Sequence, residues 1–396
     1  MRILFLSPRQ CWPPHGGAKI REYHFLRTLA ALGEVTYTYF ADRGSAPLSR
    51  DDLPFVAEIV AVPKPKAYEI GQLVRGIAGR WPLSVLNYSS PEMKACVERL
   101  THAGPFDVTH VDSIHLLRYA NHNCKRVVYN WHNIESEAMR RYGESVRSPA
   151  RRWYSSITAA KLHALERDIL GEAFGHVVCS ERERCVLHKI APNARIAVIE
   201  NGVDCAYFSE PDGSTPLDSL VFIARLENVA NALAASTFAR TIWPRIRERM
   251  PRLRLMLVGA EPLPAVQQLA SLPGVEVTGT VADVRPYYRR AVAAVVPLLS
   301  GSGTRLKILE AMAARVPVIS TAVGAEGLDA ISGKHLLIAE PEDPEAWTRH
   351  ITAIAANESR DRICEAALEF VKARYDWDML ERKLKTTYEN WFREKT

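Results

Sequence analysis

Short apolar runs alternate with longer amphipathic ones along most of the chain. Residues 2–6 (RILFL), 34–40 (EVTYTYF), 55–62 (FVAEIVAV), 106–111 (FDVTHV), 126–131 (RVVYNW), 176–180 (HVVCS) and 195–200 (RIAVIE) read as strands. Residues 16–33 read as a helix with Tyr23, Leu26, Ala30 and Gly33 on one stripe, and further helices fit between most strands. This rhythm predicts a parallel, doubly wound sheet. Residues 201–219 interrupt it with a stretch rich in Gly, Pro, Asp and Ser, which reads as a linker. The rhythm then restarts with strands at 220–224, 253–259, 275–279, 292–299 and 316–320 and a helix through 231–249. A second sheet of the same kind follows. The last segment, 375–392, predicts a helix with Trp377, Leu380, Leu384, Tyr388 and Trp391 on one face, which needs a groove to bury it.

Length agrees with two domains, because 396 residues exceed one ordinary core. The expected division is 1–200 with a returning helix at 375–396, then 201–374. A net charge of +6 is too mild to suggest a nucleic-acid protein, yet it allows a local basic face toward an anion. The seven cysteines are odd in number, and none stands in a C-x-x-C pair. They read as reduced thiols, neither a disulfide framework nor a zinc site. The opening apolar run of four residues is too short for a signal peptide, and no run is long enough to span a membrane. A cytoplasmic location is expected.

Residues 300–320 (SGSGTRLKILEAMAARVPVIS) carry the strongest chemical signal. Small, flexible residues follow a strand and turn into a helix whose first turn is read as holding Arg305 and Lys307. The helix dipole makes that the wrong end for cations, at a cost of ~0.3–1 kcal/mol each when exposed. A ligand anion in front of the helix would reverse that cost. Ligands of doubly wound sheets bind beyond the carboxyl ends of the strands, where helix N–H groups and glycines accept a phosphate. Glu310 lies six residues past Thr304, ~9 Å along the axis, roughly the span from a diphosphate to a ribose. Its carboxylate could take both ribose hydroxyls while Lys307 reaches the phosphates. The plainer reading is a solvated i,i+3 pair of Lys307 and Glu310 after an ordinary glycine turn.

The segment GSGTRLKILEAMAARVPVISTAVGAEG resembles the C-terminal signature of retaining GT-B glycosyltransferases of the family 4 type. Three further stretches resemble the same family in the same order: residues 2–35 with their glycine loop, ENGVDCAYF (200–208), and VTGTVADVRPYYRRAVAAVVPL (277–298). The likeness is nearest to bacterial transferases of exopolysaccharide gene clusters. It implies an α/β GT-B fold, with two doubly wound Rossmann-like domains facing across a cleft and the C-terminal helix returning to the N-terminal domain. It also implies that Glu310 binds the nucleotide ribose, and that Gly301, Ser302, Gly303, Thr304 and Arg305 surround the diphosphate. Arg225 stands where the family keeps a phosphate-binding arginine. Gly16, Gly17 and Lys19 would face the diphosphate or the acceptor, and His132 the donor sugar, unless it is simply a satisfied strand-end histidine. Two departures stand out. Ser302 replaces a usual glutamate eight residues before the ribose ligand, and residues 225–231 (RLENVAN) lack the family's second basic residue.

For a sugar leaving a diphosphate, positive groups at the phosphate stabilise the transition state more than the ground state. Arg225 and Lys307 could supply them without a metal. The D-x-D at 376–378 reads as a helix cap rather than a metal ligand. The expected activity is a hexosyltransferase-type transfer with retention, in cell-surface polysaccharide or glycoconjugate synthesis. UDP-sugar is put before GDP-sugar, with no other cofactor. The acceptor is a saccharide or a lipid-linked species. Residues 140–161 hold six cations against one acid, Glu144, with Tyr142, Trp153 and Tyr154 among them. They suit peripheral contact with an anionic membrane at its inner face, or are an ordinary solvated helix face. The other readings are a GT-B epimerase and a non-catalytic nucleotide-sugar binder.

Overall fold

The computed structural model describes all residues except 43, 121–123, 125, 210–216, 301–304, 358 and 394–396. The chain divides into two compact units, residues 1–200 with 381–396, and residues 201–380.

The first unit is built on seven parallel strands: β1 (Arg2–Ser7), β2 (Glu34–Ala41), β3 (Glu58–Pro63), β4 (Val108–Val111), β5 (Val127–Asn130), β6 (Gly175–Val178) and β7 (Ile196–Val198). Their order is β3-β2-β1-β4-β5-β6-β7. The winding reverses between β1 and β4, which are neighbours. A crevice therefore opens at their carboxyl ends, the general ligand position in such sheets. The pairing of Val111 with Tyr129 sets Asp112, just past β4, level with Asn130 on β5. Leu384, Tyr388 and Trp391 of the last helix, Trp377–Arg393, are buried in this unit. The Tyr388 hydroxyl lies 2.6 Å from Nδ1 of buried His110. The Trp391 ring lies so near Gly175 that a Cβ there would come within 2.9 Å of it.

The second unit carries β8 (Ser219–Ile223), β9 (Arg254–Val258), β10 (Val275–Gly279), β11 (Ala291–Val296), β12 (Val318–Ser320) and β13 (Leu337–Ile338). The order is β10-β9-β8-β11-β12-β13, again parallel, with the reversal between β8 and β11. The strand β11 is buried along its whole length. Asp376 caps the last helix, its Oδ1 accepting the Asp378 N–H at 3.0 Å.

The helix expected through 231–249 begins earlier and is interrupted. Asn228 caps it, so it starts at Val229, and a wider π-turn at Phe238–Ile242 separates Val229–Thr237 from Trp243–Arg249. Pro244 has no N–H and its ring crowds the preceding turn, so a straight α-helix cannot pass through it. The wider turn absorbs the clash.

Candidate active site

Arg225 follows β8 and the helix Leu306–Ala313 follows β11, so both stand at the reversal point of the second sheet. The Arg225 loop is pinned on both sides: Ala224 N–H donates to the Val258 carbonyl at 2.9 Å, and Leu226 N–H to the Ala260 carbonyl at 3.2 Å. Gly259 permits this approach. Its φ is +152°, and a Cβ would lie 1.7 Å from the Ala224 carbonyl oxygen. The Arg225 side chain is mostly exposed and paired with Glu227.

Lys307 does not extend into water. Its ammonium donates to Asn231 Oδ1 at 3.0 Å and sits 4.8 Å above the Phe222 ring. Asn231 in turn donates through Nδ2 to the Arg225 carbonyl at 2.9 Å. The cation thus reaches back from the helix after β11 to the helix after β8, where the family pattern led us to expect a basic residue and the sequence offers Asn231. Burial and the neighbouring Arg305 bring the Lys307 ammonium down to about 7, with Glu310 opposing. The position of Arg305 is corrected by the structure. Its φ of −87° and ψ of 79° are not helical, so it precedes the helix as its cap residue, and only Lys307 lies inside the first turn.

Glu310 is half-buried, and its Oε2 accepts from the Tyr288 hydroxyl at 3.3 Å. The same hydroxyl lies 3.3 Å from the Lys307 carbonyl, and Tyr288 is buried. Burial raises the Glu310 carboxyl, with the Tyr288 hydroxyl and Lys307 opposing. The structure therefore replaces the solvated Lys307–Glu310 pair with two separate anchorages, Lys307 on Asn231 and Glu310 on Tyr288. Gly301, Ser302, Gly303 and Thr304 lie outside the described residues.

In the first unit Gly16 caps the helix Gly17–Ala30 with φ +98°, where only glycine is at ease, and a Cβ would meet nothing within 4 Å. Lys19 sits in that helix's first turn, half-buried. His132 stands just past the end of β5 and is satisfied there. Its Nε2 lies 2.9 Å from Oδ2 of Asp112, a fully buried carboxylate. Asp112 Oδ1 accepts from Asn130 Nδ2 at 2.6 Å, and Asn130 Oδ1 accepts from buried Arg21 at 2.8 and 3.0 Å. Arg21 also donates to the Ile199 carbonyl at 2.7 Å. Burial opposes ionisation of Asp112, but His132, Arg9 and His110 together outweigh it and hold the carboxyl below its ordinary range. Nearby, burial and the Asp112 charge push the Glu22 carboxyl up, although it accepts from the Tyr37 hydroxyl at 2.7 Å.

Asp112, Asn130, Arg21, Tyr288, Phe222 and the bridging role of Asn231 were not legible as site residues. Asp112 does stand at a strand end, but its pairing with His132 depends on β4 lying beside β5. The 140–161 face is not uniform. Tyr142 and Trp153 are exposed. Lys161, counted among its cations, instead donates to the carbonyls of Gly76, Ile77 and Gly79 at 2.8, 2.6 and 2.7 Å. No helix among the described residues is long and apolar enough to cross a membrane.

Comparison with known proteins agrees with this fold. Residues 15–207 match the family model described as glycosyltransferase family 4, and residues 218–357 that of glycosyl transferases group 1. A Klebsiella pneumoniae protein described as an uncharacterized 44.6 kDa protein in the cps region is 36% identical over 81 residues, a fifth of each chain. Sucrose-phosphate synthase of Thermosynechococcus elongatus superposes with a TM-score of 0.73 at 19% identity, covering all of both chains. HepE of Anabaena, solved in complex with UDP-glucose, superposes at 0.65 and 15% identity, covering 98% of this chain and all of its own. Two successive transferase domains on two doubly wound sheets place this chain among the family 4/group 1 glycosyltransferases of the GT-B fold.

Proposed function

We propose that the protein transfers a sugar from a nucleoside diphosphate sugar, UDP before GDP, to a saccharide or lipid-linked acceptor. Transfer proceeds with retention, as a hexosyltransferase step of cell-surface polysaccharide or glycoconjugate assembly. The observation that carries this reading is that Lys307, held by Asn231, and Glu310, held by Tyr288, stand on one helix at the reversal between β8 and β11, where Arg225 also follows a strand. A cation and a carboxylate one helical turn apart suit a diphosphate and a ribose respectively. Lys307, anchored through Asn231, takes the part of the basic residue that RLENVAN lacks. Gly301–Thr304 and Arg305 line the diphosphate, Gly16, Gly17 and Lys19 serve the acceptor side, and His132 faces the donor sugar. As the bond breaks, Arg225 and Lys307 stabilise the charge gathering on the leaving diphosphate without a metal. The cationic face at 140–161 offers peripheral contact with an anionic membrane. The likeness to a protein solved with UDP-glucose favours UDP.

The test is a thermal-shift panel of UDP, GDP and their sugars, followed by NMR of the product formed on candidate acceptors, with and without EDTA. Stabilisation by one nucleotide, turnover unaffected by EDTA and a product with the donor's anomeric configuration are expected. An inverted product overturns retention. Binding without any release of nucleotide leaves a non-catalytic binder.

A pH dependence follows from Lys307. With its ammonium at about 7, the free protein holds this proton below neutrality and has largely lost it above. A bound diphosphate favours the charged form and raises that value. Affinity for a nucleotide sugar is therefore full below pH 7 and declines as pH rises beyond it, with uptake of protons near pH 8. Calorimetry in two buffers of different ionisation enthalpy reads this directly. Buffer-independent heats at that pH would remove Lys307 from the phosphate.

A further inference from the structure

The helix Ile70–Ala78 in the first unit is placed oddly for its composition. Its side chains Leu73, Val74 and Ile77 are 37%, 61% and 41% exposed, and Tyr68 just before it is 70% exposed. Among its described side chains only Gly76 is buried, against Leu83, where a Cβ would come within 3.1 Å. Nine residues make an unstable helix by themselves. This one is instead held from outside. Lys161 caps its last carbonyls, and Glu69 and Gln72 form a reciprocal box at its start. The fold thus fixes a helix in place while leaving its apolar side uncovered, on a surface where such residues normally occur singly.

What surrounds the helix indicates the partner. Arg75 is on it, and Lys66, Arg80 and Trp81 flank it, with Arg80 and Arg118 packed on the Trp81 ring at 5.4 and 5.5 Å. The helix Pro149–Glu172, which carries Lys161, exposes Trp153 eight residues earlier, ~12 Å along its axis. Between that helix and Glu135–Ser145 lies an open recess of about 430 Å³ lined by Arg140, Arg152, Ser155 and Ser156, with Glu144 as its acid. Apolar side chains ringed by arginine, lysine and tryptophan are the chemistry of a surface that enters the interface of an anionic bilayer. A soluble saccharide would find no polar partners on Leu73, Val74 and Ile77.

We infer that the helix Ile70–Ala78 is an interfacial membrane anchor, inserting Leu73, Val74 and Ile77 among lipid acyl chains while the flanking cations and the 140–161 face hold anionic headgroups. This deepens the proposed contact at 140–161 by naming the apolar element that basic face lacks. The recess then lies where a headgroup phosphate can meet Arg140 and Arg152.

The test is flotation of the full chain with phosphatidylcholine vesicles, with and without phosphatidylglycerol, for the wild type and the Val74→Glu, Ile77→Glu double variant. Both positions are exposed, so the variant folds, and its nucleotide thermal shift, read in parallel, equals that of the wild type. Wild type is expected to float only with phosphatidylglycerol, and the variant's bound fraction to fall about tenfold or more. Variant binding equal to wild type would overturn the anchor, as would wild type that floats with neither vesicle. So would a concentration-dependent dimer that the variant abolishes without any flotation, since the face would then be a contact between copies. The parallel nucleotide shift keeps these failures apart from failure of the transferase reading.

Discussion

Replacing Glu310 with alanine abolishes stabilisation by UDP and its sugars, while the unliganded protein unfolds at nearly its original temperature. The carboxylate lies at the reversal of the second sheet, where a ribose held against it would present two hydroxyls. Hydrogen bonds to a charged group contribute about 1.5–3 kcal/mol each, so losing two weakens binding about 10²–10⁴-fold. Ligand present at about 100 times its dissociation constant stabilises by about 2.7 kcal/mol, and weakening of that size removes nearly all of it. The apo fold survives because Glu310 is only half-buried and its partner is not orphaned. The Tyr288 hydroxyl keeps the Lys307 carbonyl at 3.3 Å. Burial raises the Glu310 carboxyl, so removing it also relieves a desolvated acid. Tyr288→Phe serves as a control, since it releases Glu310 without deleting it and should cost only part of the affinity. An E310A protein that UDP stabilises as well as wild type would take this carboxylate out of the site.

The two-sheet architecture was legible because parallel strands covered on both faces read as continuous apolar runs, as in RILFL and AVAAVV. Where the signal is short or local it fails. The strand β13 is two residues, Leu337–Ile338, with no periodicity to find. The π-turn before Pro244 depends on how one helix accommodates one proline. The site was legible in a similar, uneven way. Lys307 and Glu310 stand out in the sequence because a cation in a first helical turn conflicts with the dipole, and such conflicts mark places where something else decides the outcome. What each side chain touches was not legible. Asn231 read as a missing basic residue, yet it is the acceptor that holds the basic residue supplied from another helix. Tyr288 carried no reading of its own in the sequence; it is core, and its hydroxyl is the group that holds Glu310. Such contacts are set by strand order, which sequence periodicity does not encode.

Asp112→Asn is expected to lower kcat by about 10²–10⁴-fold while leaving KM for the nucleotide sugar nearly unchanged. Asp112 is itself fully buried and touches His132, so its part in the proposed reaction would run through that ring, as a positioning residue. Its carboxylate fixes the ring by accepting from Nε2–H, which leaves Nδ1 as the nitrogen able to meet a substrate. Asparagine has nearly the same shape but can present its amide N–H to that nitrogen, which favours the opposite tautomer. The carboxylate charge facing the ring also disappears. KM is spared because the nucleotide is proposed to lie on the second unit, on Arg225, Lys307 and Glu310. A purely structural role for Asp112 would show as lost stability, with kcat unmoved in the protein that stays folded. The decisive comparison is the double variant. If Asp112 works through His132, then D112N adds almost nothing once His132 is alanine, because residues acting as one unit are not additive. Equal, multiplying losses in the two backgrounds would show that the 2.9 Å contact is incidental to the reaction.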